Sequence, residues 1–264
     1  MIQGTIVSSI LMALEFVVLM YILLYSIRLK RMHPVTRMFY ILWIATLFTS
    51  NLYYFVHSLQ NKGLYLPFSV MDIVDAGIYV LLGAVLQYNF SIDIKKVTWP
   101  AVSAAIFGAI NVWLWIIWSG TYFGNLINGI PFMFLLAMCA RSFEESHAMT
   151  RTERICFESA TITVSAIESV LYFTKGTLYI VLDTCGYVLM FACLIFLIFK
   201  TIDSLRTKRA DKALALSACA YTMGLTTLYL SYEPLYFIAE ALIILAIVLT
   251  YLAIREKERE ASEQ

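Results

Sequence analysis

Apart from Glu158, six carboxylates stand in this chain where apolar sequence would otherwise run unbroken. Asp72 and Asp75 open the stretch 68–87 (FSVMDIVDAGIYVLLGAVLQ), Glu15 interrupts 5–27, Glu168 lies in 155–173, Asp183 in 177–199 and Glu240 in 234–254. A carboxylate at the centre of a membrane span costs about 2.5–3.5 kcal/mol on insertion scales. None of these stretches carries a Lys or Arg beside its acid. Acids without internal cations, interleaved with rings, have the chemistry of a cation site: carboxylates supply charge, and aromatic faces attract an ammonium. Tyr179, Asp183 and Tyr187 follow at i, i+4 and i+8, and Tyr236 with Glu240 repeats the ring–acid step. Asp72 and Asp75, three apart, share one helix face and can hold a proton or a cation between them. The predicted ligand set is therefore Asp72, Asp75, Asp183, Glu240, Glu168, Glu15, Tyr179, Tyr236 and Trp115.

The elements that must position these residues follow from composition. Of 264 residues, 61% are apolar and 14% charged, with a mean hydropathy of +0.79, against about 25% charged residues in soluble domains. Windows of about 20 apolar residues predict nine spans, at 5–27, 38–58, 67–89, 99–118, 122–140, 155–173, 177–199, 213–231 and 234–254. The expected fold is an all-α integral membrane protein, a polytopic helical bundle of nine transmembrane helices forming one domain over 1–254. A short charged tail, 255–264, continues the last span as a solvated helix with a frayed end. The fifth span is the weakest, because 123–130 contains Gly and Asn. Folding spans four and five into re-entrant segments would leave seven.

Every Lys and Arg except Lys62 and Lys175 falls in the loops after spans one, three, five and seven or in the tail. By the positive-inside rule this puts the N-terminus outside and the C-terminus in the cytoplasm. The six acids then share one slab in the outer half, with Asn51, Asn111, Asn125, Asn128, His57 and most of the Trp and Tyr residues. The inner halves read as a dry apolar plug, with span six, bearing Glu158, Ser159, Thr161 and Thr163, as the polar exception. Simpler readings compete. Tyr and Trp gather at membrane interfaces without any ligand, Glu15 and Glu168 can be met by a neighbouring Ser, Thr or Tyr, and Asn51 and Asn111 can bridge helices. His57 reads as a boundary residue.

Other chemistries find no support in the sequence. The five cysteines lie in apolar runs without CxxC spacing, so buried thiols are expected. The three histidines fall in two compartments, so no metal site is expected. HExxH, GxSxG, DxD and P-loop patterns are absent, and the last span has no Schiff-base lysine. Phe143–Arg151 (FEESHAMTR) reads as a solvated turn and the N-terminus as a retained span. The expectation is a protein without catalytic residues or cofactor and without nucleic-acid partners, multi-pass in a bacterial plasma membrane. Its partners would be membrane lipid, a small cationic ligand and a cytoplasmic signalling protein.

An outside N-terminus, the basic turn Arg28–Pro34 (RLKRMHP) and an aromatic second span with Trp43 make residues 1–100 similar to the multi-span sensory regions of bacterial histidine kinases and diguanylate cyclases. This chain ends at IREKEREASEQ without a catalytic domain. The resemblance transfers no site residues. A sensor that binds amines or protons from outside is the reading the residues favour. A proton- or cation-coupled carrier is the alternative, and it would need broken helices and a polar inner path. A lipid-acting enzyme comes third.

Overall fold

The structure, a computed structural model, describes residues 2–59, 70–119, 122–230 and 235–263. All of the regular elements among them are helices: α1 (Ile2–Ser26), α2 (Pro34–Leu59), α3 (Val70–Asn89), α4 (Trp99–Ser119), α5 (Phe123–Ser146), α6 (Arg151–Leu171), α7 (Thr177–Arg206), α8 (Ala210–Leu230) and α9 (Leu235–Glu263). Each coincides with one predicted span, since both helix and span follow from local hydropathy and satisfied backbone hydrogen bonds. Six, namely α1, α2, α4, α5, α7 and α9, are long and apolar enough to cross a membrane. They mark the chain as a multi-pass membrane protein.

Local chemistry sets the helix ends. Pro34 occupies the first turn of α2, where its missing N–H leaves no bond unmade. At α6, Thr150 accepts from the Glu153 N–H, and the Glu153 carboxylate accepts from the Thr150 N–H, a reciprocal capping box. Lys200 of α7 lies 2.6 Å from the same carboxylate. Its ammonium, with the Thr150 N–H, holds Glu153 below the ordinary 4.5. A depressed folded value gives stability that is present above pH 4.5 and lost as pH falls through the folded value. Glu153→Gln is therefore expected to remove up to about 1 kcal/mol near neutrality and to flatten the acid limb. Thermal melts above and below pH 4.5 would read this; an unchanged acid limb would exclude the pair as its source.

The fifth span forms a full helix despite Pro131. Close packing holds it. A Cβ on Gly129 would meet both methyls of Val112 in α4, at 2.5 and 2.6 Å, and a Cβ on Gly83 of α3 would run into the Phe134 ring. Val112 is β-branched and held near one χ1 rotamer in a helix, so it yields little. Gly129→Ala is accordingly expected to lower stability by about 1–3 kcal/mol through overpacking, measured as a drop in melting temperature in detergent. A wild-type melt would mean that α4 and α5 separate freely.

Contacts define a closed circuit, α1–α2–α3–α5–α4–α6–α7–α9 and back to α1, with α8 inside it against α5, α7 and α9. From Ala213 to Gly224, α8 is buried at every residue. Its sequence, ALALSACAYTMG, is rich in small residues, which let surrounding backbones approach. A helix walled by protein has no lipid to face, in keeping with its many small residues. Trp43 of α2 reaches the centre and meets Tyr221 edge-on at 5.5 Å.

The tail corrects the expectation of a frayed end. α9 runs through Glu263 and is pinned at three points. The Glu258 carboxylate accepts the backbone N–H groups of Lys30, Arg31 and Met32 at 2.7, 2.8 and 2.9 Å. Lys257 pairs with Asp211 at 2.6 Å, and Glu260 accepts the Ala210 N–H at the start of α8. Charges that look solvated in sequence thus tie both neighbouring loops to the last helix.

The half nearer this basic end is also not closed throughout, as the expected dry plug would require. A crevice of about 90 Å³ lies there between α4, α5, α6 and α8, where α4 and α6 touch only sparsely.

Candidate functional site

Among the described residues the ion pairs all lie toward the basic end: Arg141 with Glu144 and Glu145, Arg154 with Glu158, Lys200 with Glu153, Lys257 with Asp211, and Arg259 with Glu256. The acids of the opposite half are met differently, in three groups on adjoining helices.

Glu15, Asn51 and Glu240 come together from α1, α2 and α9. Glu240 is 7% exposed, and its Oε2 has no hydrogen-bond partner among the described residues. The Asn51 side chain hydrogen-bonds to the Glu15 carboxyl, while its own Oδ1 stays buried and unpartnered. Glu15 and Glu240 are close enough to act on each other electrostatically. Among the described residues, two acceptors of the trio, Glu240 Oε2 and Asn51 Oδ1, are thus buried without a donor, while the Glu15 carboxyl has the Asn51 amide. Buried acceptors without donors carry a desolvation penalty of about 1–3 kcal/mol each, and native structures seldom leave them so.

In the second group, Asp75 accepts from the Ser50 hydroxyl at 2.7 Å and from the Tyr54 phenol at 2.9 Å. The sequence pairs Asp75 with Asp72. The structure instead turns its two oxygens to α2, with Asp72 acting on it only through space. Asp72 lies beside Gly124 of α5, its Oδ1 3.5 Å from where a Cβ would stand. Ser50 and Asn51 are consecutive, so α2 serves Asp75 on one flank and Glu15 on the other. That adjacent polar pair inside an aromatic span is the sequence signal for α2's role, and Asn51 bridges α2 to α1 as expected.

The third group is Glu168 of α6 with Asp183 and Tyr179 of α7, which interact electrostatically. Gly186 makes the room. It follows Asp183 by one turn, and a Cβ there would stand 3.3 Å from Glu168 Oε1.

Among the aromatic candidates, Tyr236 starts α9 one turn before Glu240, edge-on to Phe237 at 5.8 Å. Trp115 packs on Phe132 of α5 at 4.9 Å, and Phe132 meets Tyr79 edge-on at 5.6 Å. Since α4 does not adjoin α1 or α9, Trp115 does not join the Glu15–Asn51–Glu240 trio. The side chains of His57, Trp118 and Tyr229 lie outside the described residues, as does Lys62.

With a membrane bundle and a buried acceptor cluster in place, the chain was compared with known proteins: no protein family, no characterised protein and no solved structure matches it.

Proposed function

We propose that this protein is a receptor-like membrane sensor that binds a small cation, an organic amine or a proton, at Glu15, Asn51 and Glu240. One observation carries the reading: among the described residues the buried Glu240 Oε2 and Asn51 Oδ1 have no donor, and the Glu15 and Glu240 carboxylates act on each other with no Lys or Arg paired to either. An ammonium supplies N–H donors and positive charge together, and a bound proton supplies the same in smaller form. Tyr236, one turn away, offers a ring for cation–π attraction.

The distribution of Lys and Arg supports nine spans with this half outside and the C-terminus in the cytoplasm, in a bacterial plasma membrane. The sensor reading draws on α9. Eighteen residues, or five turns, separate Glu240 from Glu258, so both project from one face of a single helix about 27 Å apart. One end adjoins α1, where Glu240 acts on Glu15 and Glu15 in turn bonds to Asn51 of α2; the other holds the loop that joins α1 to α2. A ligand that quenches Glu15–Glu240 repulsion favours a tighter packing of α9 on that hairpin. The same helix carries the shift to a basic surface where a cytoplasmic signalling protein can read it. Catalysis has no part in this proposal.

Binding of methylammonium, choline and putrescine to the purified protein in nanodiscs tests it, with Glu15→Gln and Glu240→Gln as comparisons and proton uptake measured in parallel. Saturable binding or proton uptake that either variant weakens supports the site. Neither signal, or binding indifferent to both variants, overturns it. Concentrative uptake driven by a pH gradient in proteoliposomes would shift the assignment to a carrier.

A further inference from the structure

We propose that the crevice between α4, α5, α6 and α8 holds one acyl chain of a zwitterionic membrane phospholipid, whose phosphate is drawn to Arg154 and whose ammonium is drawn to Glu158.

The lining dictates an apolar occupant. Four hydroxyls border the space, yet each donates to a carbonyl of its own helix: Ser103 to Pro100, Thr161 to Glu158, Thr222 to Ala218 and Thr226 to Thr222. A polar ligand would find those donors committed, and the rest of the wall is largely hydrocarbon and aromatic ring, including Phe107 and Phe157. The space is about 90 Å³, some three waters' worth, enough for a stretch of chain whose remainder lies in the surrounding lipid. Access is lateral. The junction between α4 and α6 is sparse, and Ile162 on that rim is 60% exposed.

The mouth then selects the headgroup. Arg154 and Glu158 sit one turn apart near the start of α6, 3.7 Å from each other, with side chains 34% and 41% exposed. Both can turn to an incoming group at the level where the apolar lining ends. A cation beside an anion complements a headgroup carrying phosphate and ammonium, whereas a singly anionic amphiphile would meet Glu158 as a like charge. The site is separate from the acceptor cluster of the opposite half and does not depend on which face of the membrane the basic end meets.

A phosphatidylethanolamine with a photoactivatable acyl chain, in nanodiscs of mixed phosphatidylethanolamine and phosphatidylglycerol, tests the proposal. Labelling should concentrate on peptides containing Phe107, Ile162 and Thr222, and Ala104→Phe, which fills the crevice, should cut it at least about fivefold. Arg154→Gln should reduce labelling by phosphatidylethanolamine. Ile162→Trp, at the exposed rim, gives a second block if Ala104→Phe does not fold. Labelling spread evenly around the circuit would overturn the proposal, as would labelling unaffected by a folded blocking variant. So would crevice labelling by a photoactivatable free fatty acid with none from the phospholipid.

Discussion

Glu240→Gln is expected to make the protein more stable and, at the same time, to abolish cation binding. In the wild type, Glu240 Oε2 and Asn51 Oδ1 are buried acceptors with no donor among the described residues, and Glu15 adds a second carboxylate. Glutamine keeps the size and shape of glutamate, removes one charge and brings an NH₂ with two donors. Its amide would do from within what an ammonium does from outside. A gain of about 1–3 kcal/mol follows, from relief of a carboxylate held at membrane depth and from a new hydrogen bond. The ligand loses its charge partner and its vacant acceptor together, so affinity should fall by tenfold or more, about 1.4 kcal/mol per decade. Melting temperature without ligand and amine binding, measured on the same preparation, check both halves. A variant that melts lower and still binds would sink the acceptor-cluster argument, because it would mean that donors already serve Glu240.

The second large effect is expected at the other end of the same helix. Glu258→Ala removes the acceptor of three backbone N–H groups in one step. Hydrogen bonds to a charged group contribute about 1.5–3 kcal/mol each, and the three share one carboxylate, so a total loss of about 2–4 kcal/mol is expected. Amide exchange at Lys30, Arg31 and Met32 should accelerate, while exchange in buried α8 stays slow. The variant also isolates the relay. If α9 carries a ligand's effect to the α1–α2 loop, a bound amine should change tryptic cleavage after Lys30 and Arg31 in the wild type and leave the variant's cleavage unchanged. Glu258→Gln, which keeps one carbonyl acceptor, should fall between the two. Equal ligand effects in wild type and Glu258→Ala would remove α9 as the connection, while leaving the binding site itself standing.

What the amino-acid order determined by itself is the set of helices and the kind of solvent around them. Apolar windows marked nine segments, and each lies largely within a helix, even 122–140 with its Gly, Asn and Pro, because an apolar segment withdrawn from water must close its own backbone hydrogen bonds. The acids without cations in their own spans were equally legible, as was the continuation of α9 past Leu252. Partnership was not. Glu15 and Glu240 lie on the first and last helices, and their meeting depends on the circuit closing between α1 and α9. The placement of α8 at the centre, and of α5 between α3 and α4, depends on which glycines meet which bulky side chains, as Gly129 meets Val112 and Gly224 meets Ile243. These are contacts between distant segments, and no local pattern encodes them. The same holds for Glu258: a glutamate among charges reads as solvated until the fold brings the loop of residues 30–32 beneath it. Hydropathy is a property of a segment, whereas a binding site is a property of how segments pack.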